Sequence, residues 1–101
     1  MLANSVWPVQ IIENWADVVG RITAVKPHPA LKDYVLVEIQ VDQVTAVAGF
    51  PNLFADAVGH TMVVNVAATP DHPALQNSRP LHWRIRKSGP DSAFIAPQSL
   101  L

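Results

Sequence analysis

Along residues 33–44 apolar and polar positions alternate. Val35, Val37, Ile39 and Val41 fall on one side, and Tyr34, Leu36, Glu38, Gln40 and Asp42 on the other. Successive side chains of a strand point to opposite faces, so a period of two predicts a strand with one aliphatic face and one that turns polar. The same test predicts four more strands. Segment 16–26 sets Ala16, Val18, Gly20, Ile22 and Ala24 against Asp17, Val19, Arg21, Thr23 and Val25. Segment 60–67 groups Met62, Val64 and Val66; segment 81–87 separates Leu81, Trp83 and Ile85 from His82, Arg84 and Arg86; a short fifth strand covers 92–96. Fourteen valines and six isoleucines, nearly all in short runs between prolines and glycines, agree with strands rather than helices.

The connections carry their own signals. Asn52 is placed to N-cap, and Gly59 to end, one or two helical turns between the second and third strands, with Leu53, Phe54 and Val58 closing the end of the fold. Residues 88–91 read as a tight hairpin turn. His28-Pro29-Ala30-Leu31 recurs as His72-Pro73-Ala74-Leu75, and the flanking strands stay in phase around both copies. This echo predicts one strand–loop–strand unit used twice, each loop stiffened by proline and tucking its leucine inward.

Five short strands with evenly spaced turns predict an all-β fold, a five-stranded small antiparallel barrel with one short helical turn, because closure removes the free edges that so apolar a chain would expose. The run Gly59-His60-Thr61-Met62-Val63-Val64-Asn65-Val66 resembles the third strand of many OB-fold barrels, and the long first hairpin with Gly20 in its opening strand resembles that fold too. The resemblance spans about residues 15–97 and lies in layout. It departs from the OB pattern in the helix, which that fold sets between strands three and four, where residues 71–77 offer only a vestigial turn opened by Pro73. An SH3-like or elongation-factor-type barrel is the alternative. The OB resemblance implies single-strand binding by a basic groove with aromatic platforms.

Composition narrows the class further. The chain has 101 residues and 11.0 kDa, enough for an N-terminal arm over 1–14 and one barrel domain over 15–101. Half the residues are apolar and 15% are charged, against about 25% in a typical soluble domain, which excludes an intrinsically disordered chain. No apolar run approaches the ~20 residues of a membrane helix, so no membrane partner is expected. The first residues lack a basic segment followed by an apolar one, so the expected location is cytoplasmic. Cysteine is absent, which removes disulfides and thiolate metal sites.

Net charge is −1, yet Arg79, Arg84, Arg86 and Lys87 gather after residue 78 against Asp91 alone. On the fourth strand His82, Arg84 and Arg86 share a face, with Arg79 and Lys87 flanking and Tyr34 as the sheet aromatic, so these six are the candidate nucleic-acid contacts. The competing reading is a solvated face whose arginines pair with carboxylates such as Glu38 and Asp42. In an up-and-down strand order, His28 and His72 share a rim beside Asp71, the one arrangement that invites a metal, though neither His-x₃-His spacing nor cysteine supports it. No nucleophile elbow, phosphate loop or carboxylate pair appears, so neither catalytic residues nor a cofactor are expected, and a small metal protein or enzyme is the last alternative.

The charge shortage points elsewhere. Inner strand faces cannot accommodate every apolar residue, and Trp7, Val9, Ile11, Val19, Val25 and Leu36 are the candidates for an oligomer interface. The leading expectation is a non-catalytic binding or assembly module, a homo-oligomer with the dimer as default or a subunit of a larger complex.

Overall fold

The computed structural model describes residues 13–76, 80–89 and 92–100. Five strands, β1 (Ala16–Pro27), β2 (Val35–Ala46), β3 (Thr61–Val66), β4 (Leu81–Gly89) and β5 (Ser92–Ile95), form a closed barrel in the order β1-β2-β3-β5-β4. Single 3-10 turns lie at Ala55–Ala57, Pro73–Leu75 and Pro97–Leu100, the second in the connection where the OB layout sets its helix and with Pro73 opening it. The closed, all-β five-stranded barrel with only short helical turns is as expected; its strands are not all antiparallel. A closed ring of five strands cannot alternate direction all the way round. One pair must run parallel, and it is β3 with β5, because β4 crosses over to pair with β1.

The pleat places the core where the alternation puts it. Val18, Val35, Val37, Ile39, Val41, Val64, Val66 and Ile85 are fully buried, with Trp83 beside them, while Ile22, Met62 and Leu81 are half-buried at the margin. Burying side chains of this size contributes about 1.5–3 kcal/mol each, which is why the inner faces set the fold.

Two bulges break the alternation along β1 and β2. Val19 pairs with Gln43 but Gly20 with Val41, so Asp42 is the extra residue; Ile22 pairs with Ile39 but Ala24 with Glu38, so Thr23 is. A bulge inverts the facing of every residue after it. Val25, expected outward, therefore pairs with Val37 and packs against the core. Gly20 sits at the first bulge, where a Cβ would collide with the Gln40 carbonyl oxygen; only glycine lets the two backbones approach so closely.

The β2–β3 connection departs from its expectation in part. Gly59 has φ +85° and ends it as predicted. Asn52 Oδ1 accepts from the Phe54 N–H at 2.9 Å, capping a turn one step before the helical one, whose own cap position is Phe54. In a 3-10 turn side chains three apart eclipse, so Phe54 and Ala57 face the barrel while Leu53 and Val58 stay exposed. Phe54 alone of the three expected residues is buried.

Both His-Pro-Ala-Leu segments make the same local turn. His28 Nδ1 accepts from the Ala30 and Leu31 N–H groups at 3.0 and 2.8 Å, and His72 Nδ1 accepts from Ala74 at 3.1 Å. Beyond that the copies diverge. Leu75 is buried and Leu31 is 42% exposed, because the first loop joins neighbouring strands and projects from the barrel, whereas the second crosses over to β4. The echo is a repeated cap, not a repeated hairpin.

Candidate functional site

The basic strand face resolves into separate parts. Arg84 pairs with Asp17, opposite it in the β1–β4 register, through Nε–Oδ1 at 2.8 Å and Nη2–Oδ2 at 3.1 Å. This bidentate contact holds the Asp17 carboxyl below its ordinary range and raises the Arg84 guanidinium above its own. The carboxylates named from sequence are engaged elsewhere: Asp42 lies 3.8 Å from Arg21, and Glu38 accepts from the Thr23 hydroxyl at 2.7 Å. Asp17 was missed because the register that sets it opposite Arg84 joins strands distant in the chain.

Arg86 is exposed, and no carboxylate lies within ion-pair distance among the described residues. Its guanidinium stands 6.0 Å from the ring centroid of Trp15. On its other side it registers with Phe94, whose ring meets Tyr34 edge to face at 6.2 Å; Tyr34 in turn meets His28 at 6.5 Å. An aromatic row therefore crosses the outer surface: Trp15, Phe94 and Tyr34, with Arg86 between the first two. The pattern singled out Tyr34 alone. Extending the β1–β4 register by one residue sets Trp15 opposite Arg86, and that extension was the available signal.

Lys87 belongs to neither group. It follows Trp83 and Ile85 in phase, so it points to the mouth of the barrel, with Nζ 5.6 Å from the Phe54 ring centroid. There it borders a recess of about 400 Å³ lined by Leu53, Phe54, Asp56, Ala57, Met62, Val63, Ser92 and Ala93. Two of its lining residues, Leu53 and Val63, are among the most exposed large apolar side chains. Among the described residues Leu31, Phe50, Leu53, Val58 and Val63 are the most exposed of that kind, and all but Leu31 lie on β3 or the connection leading into it.

The remaining candidates are scattered. Arg79, Trp7, Val9 and Ile11 lie outside the described residues. His82 is exposed and registers with Val19. Val19 and Leu36 are half-buried and far apart, since Leu36 pairs with Lys26 near the other end of β1; with Val25 turned inward, the three form no shared patch. His28 and His72 both use Nδ1 to accept backbone N–H groups, and no group of three metal-ligating side chains gathers among the described residues. No helix among the described residues is long and apolar enough to cross a membrane. Compared with protein-family models, curated proteins and solved structures, the chain matches none.

Proposed function

We propose that this protein is a non-catalytic binding and assembly module that associates through the face formed by the β2–β3 connection and β3. One observation carries the reading: Phe50, Leu53, Val58 and Val63 are 36–48% exposed on this one part of the barrel, beside an open recess. Contiguous apolar surface rimmed by polar residues is the mark of an interface. The first partner is a second copy of the chain, since cyclic closure by a self-complementary face is the commonest assembly. Association with another subunit of a larger complex uses the same face, and the setting is the cytoplasm.

Sedimentation across a tenfold dilution in the micromolar range tests this. A dimer is expected, converted to monomer by Leu53→Asp with Val58→Asp. A single species near 11.0 kDa at every concentration overturns the homo-oligomer.

A second reading rests on a different observation, the Trp15–Arg86–Phe94–Tyr34 row, which offers stacking faces with a cation among them. Bases of a single strand stack on such platforms with about 1–3 kcal/mol per base. With Arg84 neutralised by Asp17, few phosphate contacts remain, so binding would show a shallow salt dependence. Retardation of a labelled oligonucleotide, abolished by Trp15→Ala with Arg86→Ala, supports this reading; no retardation at low salt removes it.

A further inference from the structure

The aromatic row runs across the strands rather than along one. Trp15 precedes β1, Arg86 stands on β4, Phe94 on β5 and Tyr34 just before β2, with β3 between the last two. A ligand chain laid along this row passes from strand to strand and cannot join a ladder. Side chains must supply all the recognition, so the fitting ligand is one whose backbone needs no partner. Polyproline II is that conformation: it has no internal hydrogen bonds and keeps its backbone in water.

Ring geometry narrows the ligand's side chains. Phe94 and Tyr34 meet at 84° with centroids 6.2 Å apart, and Tyr34 and His28 meet at 76° and 6.5 Å. Adjacent rings stand nearly perpendicular, so the surface is notched rather than terraced, and a base laid on one ring face would meet the next ring edge-on. Tyr34 and Phe94 also line a cavity of about 180 Å³ together with Asn65, Ile95, Pro97 and Leu100. Sites for drug-sized ligands hold roughly 300–1,000 Å³, so this one suits a single compact apolar ring. The walls are held in advance. His28 Nδ1 accepts from the Ala30 and Leu31 N–H groups, which fixes the ring that meets Tyr34 and leaves little ordering for a ligand to impose.

Charge supplies the last element. Arg84 is paired with Asp17, whereas Arg86 is exposed with its guanidinium over Trp15. One cation beside the rings matches one carboxylate, while a phosphodiester strand with a charge on every residue calls for several cations.

We propose that the row is a docking groove for a proline-rich segment of a partner protein. The segment lies in polyproline II form across β4, β5 and β3, sets a prolyl ring into the cavity at Tyr34 and Phe94, and presents a neighbouring carboxylate to Arg86. The inference rests on the reading that this chain is a binding module; it names a partner's chemistry for a face other than the assembly face.

The probes are fluorescein-labelled decapeptides titrated against the full chain by anisotropy: Pro-Pro-Ala repeats ending in Glu, the same repeats ending in Lys, and the Glu peptide with every proline replaced by serine. The Glu proline peptide binds tightest, and loss of its prolines weakens it by about tenfold or more. Arg86→Glu, at an exposed position, reverses the preference toward the Lys peptide. Phe94→Ala abolishes binding of every peptide. Should that variant unfold, the serine peptide and the charge reversal still decide.

Equal binding of the serine peptide, an unchanged preference in Arg86→Glu, or no binding of any peptide overturns the groove. If the peptides fail and a labelled oligonucleotide is retarded, the row is a nucleic-acid site instead. If no peptide binds and the chain sediments as a dimer, the assembly reading stands alone. If peptides bind a chain that stays monomeric, the homo-oligomer falls and the groove stands.

Discussion

The barrel is closed by two seams, and each ends in a buried asparagine. Where β1 meets β4 there are five register pairs, and Asn14 extends them. Its side-chain amide stands in for a sixth, donating to the Lys87 carbonyl at 2.9 Å and accepting from the Lys87 N–H at 2.8 Å. Where β3 meets β5 there is one register pair among the described residues. Asn65 adds a donation from Nδ2 to the Ala93 carbonyl at 3.0 Å and a longer one to the Ser92 hydroxyl at 3.5 Å. These are the two buried polar residues among the described ones. The first seam is backed by Trp83 and flanked by the Asp17–Arg84 pair; the second opens onto the recess. A ring of strands needs closing everywhere for its core but not equally, and among the described residues the second seam carries fewer register pairs than the first.

The largest expected effect comes from emptying the strong seam. Trp83→Ala removes a buried ring opposite Val18 and should cost about 3–5 kcal/mol, measured by urea unfolding. Asn14→Ala comes next. It leaves the Lys87 N–H and C=O without their described partner, a loss of about 1–3 kcal/mol by the same measurement.

Asn65→Ala should cost less, about 0.5–1.5 kcal/mol. A loss matching that of Asn14→Ala would end the distinction between the seams. Amide hydrogen exchange sharpens it. Amides along the β1–β4 seam should exchange more slowly than those along the β3–β5 seam, and equal protection would end the distinction.

The smallest effect is electrostatic. The folded carboxyl of Asp17 lies below its unfolded value of 3.8, so the pair with Arg84 contributes stability above that pH and loses it as pH falls through the folded value. Asp17→Asn should therefore leave stability near neutrality almost unchanged, as for an exposed pair, and flatten the acid limb of a stability–pH curve below about pH 4. An acid limb identical to that of the parent would show that the pair does not couple to folding.

The strands were legible because each reports its own burial. Val35, Val37, Ile39 and Val41 alternate with polar neighbours, and all four are buried. Val25 was misread because the bulge at Thr23 leaves no mark in a hydrophobic pattern; it shifts register against a partner strand. Leu31 and Leu75 make the same point with identical local sequence and opposite burial. Of the candidate site, the exposed Arg86 and the aromatic Tyr34 were legible. Trp15, Phe94, Asp17 and the recess at Lys87 were not, because each acquires its role from a residue on another strand.

By itself the sequence determined which segments are strands, which face of each enters the core up to the bulges, and that the connection before β3 ends at Gly59. Those properties follow from pleating and from hydrogen bonds spanning two or three residues. Only the tertiary structure decided the order β1-β2-β3-β5-β4, the parallel pair that an odd ring requires, and the bulges that shift β1 against β2. Strand partners are chosen by competition among distant segments for the same backbone groups, and alternation within one strand carries no record of which neighbour wins.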